Sequence, residues 1–198
     1  MTENFPSTDR VRIERVEMLS AQWGKLMKYS ILYRRSDGVE QQQSREIYDR
    51  GNGAVILLYN KQRGTIILTR QFRLPALLNG HPDGMLLEAP AGLLDADDPV
   101  TAIRREAEEE TGYRVHDVKE IFSAIMSPGS VTERLHFFTA EYTPADRVSE
   151  GGGHEGEGED IEVIEVTLNK ALAMVETGEI IDAKTIVLVY HAKLKALI

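Results

Sequence analysis

The sequence predicts a mixed α/β domain with helices packed around a sheet. Three features carry this expectation. Ala54-Val55-Ile56-Leu57-Leu58-Tyr59 is an unbroken apolar run of strand length, as expected of a strand buried on both faces. A helix with start and stop signals follows, from Asp98-Pro99 to Gly112. Two further helical patterns close the chain.

The first third reads as strands. Lys28 to Tyr33 is β-rich, Asp37-Gly38 is a hairpin turn, and the chain returns through Val39 to Tyr48. This stretch is too polar and too thin to form a core alone, so it must pack on the rest of the chain or on a second copy. Asp49 to Gly53 is a turn before the central strand. Asn60 to Gly64 is a second hairpin loop, and Thr65 to Phe72 is the returning strand. A loop over Leu74–Gly84 leads to a strand at Met85–Ala89 that ends at Pro90-Ala91-Gly92. In the helix that follows, Asp98 is the N-cap, Pro99 the first helical residue and Gly112 the stop. Strands follow near Val118–Met126 and Leu135–Tyr142. Pro144 to Asp160 contains Gly151-Gly152-Gly153 and many acids, and is expected to lack fixed secondary structure. A strand at Ile161–Val166 and helices at about Asn169–Thr177 and Ala183–Ala196 complete the chain.

Composition narrows the function. A chain of 198 residues with 42% hydrophobic residues can bury a real core. Its net charge of -9 disfavours a general nucleic-acid binder, which needs basic surface. It does not disfavour a small phosphorylated substrate, because a metal ion can bridge carboxylates and phosphates. The chain has no cysteine, so disulfides and thiolate sites are excluded. Its five histidines form no close pair or HExxH pattern, which argues against zinc. Met1 to Arg15 is polar, and nowhere do 18 apolar residues run together. The expectation is a soluble cytoplasmic protein with no membrane partner.

On the capped helix, with Glu106 at zero, Glu110 lies at roughly 40° and Glu109 at roughly −60°. Ile103, Ala107 and Val100 fall at roughly 60–120°, the arc that faces the core. The acidic arc therefore borders the buried face. Like charges in this arrangement repel, and a divalent cation would relieve the repulsion. By themselves the carboxylates fit two readings, a metal site or a solvated charged face with Arg105 paired to Glu109.

The flanking residues add weight to the first. Ala91-Gly92, followed by Arg105-Glu106-Ala107-Glu108-Glu109-Glu110-Thr111-Gly112-Tyr113, resembles the Nudix box, G-x5-E-x7-R-E-U-x-E-E-x-G-U. Its second half matches, with Tyr113 in the last place. Its first half is one residue short, and Asp98 stands where the outlying glutamate is expected. Tyr48 to Ala54, Arg70-Gln71-Phe72-Arg73, Met126-Ser127-Pro128-Gly129 and the acidic glycine-rich loop before Asp160-Ile161-Glu162-Val163 resemble the GDP-mannose pyrophosphatase branch of that family, beside the ADP-ribose pyrophosphatases.

That resemblance implies a Nudix α/β/α sandwich over 49–198 with a mixed sheet, preceded over 1–48 by an antiparallel β-element exchanged in a homodimer. It implies Mg²⁺, or Mn²⁺ in its place, held by Glu106, Glu109, Glu110, Glu159 and the carbonyl of Ala91. Glu159, Glu106 and Glu110 would be catalytic, with Glu159 acting on the water from a mobile loop; Glu155 and Glu157 are alternatives to it. Arg73, Ala91, Gly92 and Lys184 would contact substrate. So would Trp23, Arg45, Glu46 and Glu133, with Arg45 and Glu46 reaching the partner's nucleotide site. Read without the family, Arg73, Arg45, Glu46, Glu133 and Lys184 are surface charges, and Trp23 is a core or dimer contact. The implied reaction is cleavage of the pyrophosphate in a nucleoside diphosphate sugar, GDP-mannose first. ADP-ribose hydrolysis and a non-catalytic nucleotide-sugar sensor are the alternatives, and the retained box glutamates speak against the sensor.

Overall fold

The computed structural model describes residues 6–94, 96–154, 156 and 158–198. The chain divides into two compact units: 1–51 with 127–133, and 52–126 with 134–198.

The first unit is a three-stranded antiparallel sheet in the order β1-β2-β3, with β1 over Val11–Ala21, β2 over Lys25–Arg34 and β3 over Glu40–Asp49. Gly38, at φ 85°, turns β2 into β3 where Asp37-Gly38 predicted a hairpin. Strand β1 was not foreseen, since charged side chains on an exposed strand hide the period-2 alternation. None of the described residues from 6 to 52 is buried, so this sheet has no core of its own. The segment 127–133 joins it where Tyr48 N–H donates to the Ser130 carbonyl (2.8 Å) and Thr132 N–H to the Tyr48 carbonyl (3.1 Å).

The second unit holds a seven-stranded mixed sheet with the path β10-β5-β4-β9-β8. Here β4 is Gly53–Asn60, β5 Thr65–Phe72, β8 Lys119–Ile125, β9 Arg134–Glu141 and β10 Glu162–Thr167. The short strands β6 (Met85–Glu88) and β7 (Ala91–Leu93) pair with β5 and β4. Among the described residues of this sheet, β4 and β9 run parallel and the other pairings are antiparallel. All eight residues of β4 are buried, as its apolar run predicted.

Alternation along β4 sorts the core into two layers. Ala54, Ile56 and Leu58 pack with Ala102, Ile103 and Ala107 of helix α2 (Pro99–Thr111). Val55, Leu57 and Tyr59 pack with Ala171 and Met174 of α3 (Leu168–Thr177) and with Leu188, Val189 and Ala192 of α4 (Ala183–Leu194). Helices thus cover both faces of the sheet, giving the α/β/α sandwich. The region 74–84, expected to be a loop, contains a one-turn helix α1 (Leu74–Leu78) with no buried residue. Helix α4 stops two residues earlier than expected, before Ala196 at φ 48°. No helix among the described residues is long and apolar enough to cross a membrane.

Helix α2 starts and stops where its signals stand. Asp98 Oδ1 accepts from the Val100 and Thr101 N–H groups, both at 3.1 Å, and Oδ2 accepts from the Thr101 hydroxyl at 2.5 Å. The Thr101 hydroxyl, with the Thr101 and Val100 N–H groups, holds the Asp98 carboxyl below its ordinary pKa. The residue at the outlying acid position is therefore a helix cap. Asp98→Ala is expected to lower the thermal midpoint by roughly 2–4 °C while leaving turnover within about twofold, as for a lost cap. A large loss of turnover in folded Asp98→Ala would instead make it a site residue.

Candidate functional site

The site begins with the placement of α2. Its apolar side is fixed by Ile103 and Ala107, both fully buried. That leaves Glu106 half-buried, Glu109 exposed and Glu110 only 3% exposed. The backbone of β7 runs along this acidic edge. Ala91 N–H donates to Glu110 Oε2 at 3.3 Å. Gly92 lies so close to Glu106 that a Cβ there would stand 2.2 Å from Glu106 Cδ and 2.6 Å from its Oε1. Gly92 is therefore the gap into which the Glu106 carboxylate folds.

Arg105 organises the start of the arc. It pairs with Asp97 at 2.6 Å, with Glu106 at 3.2 Å and with Glu109 at 3.9 Å. The i,i+4 pair expected of a solvated charged face is present, and it is the longest of these three.

Glu159 reaches the same place by a route the sequence did not reveal. Gly152 and Gly153 N–H groups donate to the carbonyls of Glu110 (2.9 Å) and Glu109 (3.0 Å), which the end of α2 leaves unpaired. Gly112 and Gly151 meet back to back. A Cβ on Gly112 would stand 2.1 Å from the Ser149 carbonyl oxygen, and one on Gly151 2.5 Å from that of Glu110. Only glycine permits this approach, and both residues have positive φ. The Glu159 carboxylate then accepts from the His154 N–H at 2.9 Å. The segment expected to be mobile is thus latched to α2 at its glycine triplet, and it opens with a 3₁₀ turn at Pro144–Asp146. Glu155 and Glu157 lie outside the described residues.

Electrostatics tie these groups together. Burial, then the charges of Glu159 and Glu106, push the Glu110 carboxyl up to about 8, against the pull of Arg73 and the Ala91 N–H. Burial also raises Glu106; Arg105 opposes the rise, and Glu109 and Glu159 add to it. Among the described residues, no three acids or histidines form a preformed ligand cage. The donor set still suits a hard divalent cation. It is all oxygen and half or fully buried at two members, and Arg105 and Arg73 offset only part of its charge repulsion.

Beside this cluster is a second charged group. Glu88, at the end of β6, accepts from Arg73 Nε at 2.6 Å and Lys184 Nζ at 2.5 Å. Lys184 also donates to Asp182 at 2.8 Å. Burial works against the Lys184 ammonium, yet Glu88 and Asp182 outweigh it and hold its pKa above the ordinary lysine value. Sequence reasoning singled out Arg73 and Lys184 but not Glu88. The available signal was an acid closing an apolar strand, where an unpaired charge would be costly.

The second unit therefore brings Ala91, Gly92, Glu106, Glu110, Glu159, Arg73 and Lys184 into one neighbourhood, with Glu109 at its exposed rim. The other expected residues belong to the first unit. Trp23 is 71% exposed with the Arg50 guanidinium 5.8 Å from its ring centroid. Arg50 also pairs with Glu133 at 2.6 Å. Arg45 bonds the Ser44 carbonyl and Gln43, and exposed Glu46 lies opposite Lys28 in the sheet.

Comparison with known proteins matches two family models to the chain. Residues 49–188 match the NUDIX domain, and residues 10–48 match the GDP-mannose pyrophosphatase NudK N-terminal domain. The chain is similar to the GDP-mannose pyrophosphatase of Yersinia pestis (strain Pestoides F), at 53% identity over 93% of each chain. It is also similar to that of Pectobacterium atrosepticum, at 55% identity over 89% of this chain and 90% of the relative. With that of Yersinia enterocolitica it shares 52% identity over 95% of this chain and 98% of the relative.

Proposed function

The chain belongs to the Nudix family of hydrolases, and on that premise we propose that it cleaves the pyrophosphate of nucleoside diphosphate sugars, GDP-mannose to GMP and mannose 1-phosphate. The observation that carries this reading is the convergence of Glu106, Glu110 and Glu159, with Glu110 buried and its charge penalty only partly offset. The relatives named GDP-mannose pyrophosphatase, similar over nearly the whole chain, support the substrate.

Glu106, Glu109, Glu110 and Glu159, with the Ala91 carbonyl, would hold Mg²⁺ or Mn²⁺. When bound, the cation supplies charge neutralisation at the diphosphate and polarisation of its phosphorus. Gly92 leaves room for the Glu106 carboxylate. Arg73 and Lys184 face the phosphate oxygens as fixed cations. Glu159 orients the attacking water and takes its proton as the water oxygen bonds to phosphorus and the bridging P–O bond breaks. Residues 1–48 form the element through which two chains pair, and 49–198 form the hydrolase domain. Trp23, Arg45, Glu46 and Glu133 then serve the nucleotide end of the site. The working compartment is the cytoplasm.

The test is a panel of nucleoside diphosphate sugars, ADP-ribose and dinucleoside polyphosphates, with and without Mg²⁺. The expected result is metal-dependent release of GMP from GDP-mannose at the highest kcat/KM of the panel. Higher kcat/KM on ADP-ribose would reassign the substrate, and binding without turnover on any member would sink the enzymatic reading.

A further inference from the structure

Two cations far apart in sequence meet on one buried carboxylate. The Glu88 side chain is only 5% exposed and has both Arg73 and Lys184 within 2.6 Å. The arrangement is fixed from three directions. Arg73 follows β5, its N–H donating to the Gly84 carbonyl at 2.8 Å and its own carbonyl accepting from Ala76 and Leu77 of α1. Glu88 lies in β6, opposite Thr69 of β5. Lys184 is in the first turn of α4, whose cap Asp182 accepts from the Thr185 N–H (2.9 Å) and hydroxyl (2.6 Å). The Thr185 hydroxyl oxygen in turn accepts from the Ala89 N–H at 2.7 Å, tying the residue beside Glu88 to the same helix start.

The charges explain why Glu88 stands there. Asp182 already pairs with Lys184. Without Glu88, Arg73 and Lys184 would be neighbouring like charges that repel, with Lys184 still held by Asp182 but Arg73 no longer tied to it. With it, two anions and two cations form a neutral quartet, so no net charge is buried. Arg73 pairs through Nε while its side chain stays 39% exposed, leaving the guanidinium open to a ligand. Arg73 also offsets part of the charge penalty of Glu110, which sets the quartet beside the acidic cluster.

We propose that Glu88 is a positioning residue that locks Arg73 and Lys184 into one cationic clamp for the diphosphate, without itself touching the substrate. The inference rests on the proposed function for the identity of the ligand. The clamp is assembled before binding, so substrate need not order either side chain.

The test is Glu88→Gln, which keeps size and shape and removes the charge. Folding is checked by thermal melting. The expected result is a KM for GDP-mannose higher by about tenfold to 10²-fold, the scale of a misplaced positioning group. The kcat should fall less, and the half-saturating Mg²⁺ concentration should not move. Affinity for inorganic pyrophosphate with Mg²⁺, read by calorimetry, should fall in parallel. In an Arg73→Ala background Glu88→Gln should have a smaller effect than in the wild type, because it acts through that residue. An unchanged KM and pyrophosphate affinity in folded Glu88→Gln, or the same fold-loss in both backgrounds, overturns the proposal. If Glu88→Gln does not fold, Arg73→Ala and Lys184→Ala are measured singly and together against pyrophosphate. A double loss smaller than the product of the single losses supports the clamp, and a fully multiplicative loss overturns it. Absence of wild-type turnover on any nucleotide sugar would defeat the substrate reading alone, since the pyrophosphate measurement still decides the clamp.

Discussion

Glu110→Gln is expected to cut metal-dependent turnover sharply and, at the same time, to stabilise the metal-free protein at pH 8. The two effects come from one cause. Glu110 is 3% exposed, and burial with the nearby charges of Glu159 and Glu106 raises its carboxyl to about 8. The folded protein therefore keeps a proton that the unfolded chain gives up near pH 4.5. Between those values the folded state binds more protons, so stability falls as pH rises and the loss is complete above about pH 8. The size is a few kcal/mol, or roughly 5–10 °C in thermal midpoint for a chain of this length. Glutamine mimics the protonated side chain, still accepts from the Ala91 N–H, and escapes the loss. Melts in EDTA should superimpose for wild type and Glu110→Gln at pH 4 and diverge at pH 8, with the variant more stable. Added Mg²⁺ should raise the wild-type midpoint at pH 8 and leave the variant nearly unmoved. Turnover should fall on the order of 10²–10³-fold, as when one transition-state partner is removed. A variant no more stable than wild type at pH 8 in EDTA would show that the buried charge is relieved by some other group.

Gly92→Ala should damage function far more than folding. The glycine backbone is not in the left-handed region, so alanine fits its conformation. The obstacle is the Glu106 side chain, 2.2–2.6 Å from where the methyl would be. Neither backbone can retreat. Gly92 is paired with Ala54 of β4, and α2 is fixed by fully buried Ile103 and Ala107. The Glu106 carboxylate is flexible and turns away at little cost. The expected result is a thermal midpoint within about 2–4 °C of wild type. Turnover should fall by about 10²-fold, since a ligand moved by an ångström is no longer in place, and the half-saturating Mg²⁺ concentration should rise. Wild-type turnover in folded Gly92→Ala would mean that Glu106 acts from another rotamer.

Both substitutions concern residues that the sequence marks out, yet their effects rest on geometry it does not contain. Local signals determined a good deal by themselves. The apolar run Ala54–Tyr59 announced a buried central strand, though not which helix each of its faces would meet. Asp98, Pro99 and Gly112 set the ends of α2, because capping is short-range hydrogen bonding and backbone conformation. The period of 3.6 then put Glu106, Glu109 and Glu110 at the border of the buried face. These features depend only on near neighbours in the chain, so the sequence by itself determines them.

Tertiary structure decided the rest. Which glutamate is buried and which stays wet depends on what β7 covers, so Glu110 and Glu109, adjacent in sequence, end up 3% exposed and openly exposed. The glycine triplet was legible as a turn-rich segment but not as a latch, because its partners are carbonyls at the far end of another element. Glu88 was legible only as the end of a strand. Its role comes from Arg73 and Lys184, brought to it by β5 and α4. A charge's solvation and its partners are set by whatever the fold places around it, and no local pattern encodes that. The sequence thus determined most of the elements and the acidic arc, though not β1 or α1. The packing of sheet, helix and loop decided that the arc carries a buried carboxyl whose charge is only partly offset, the condition that a bound cation would relieve.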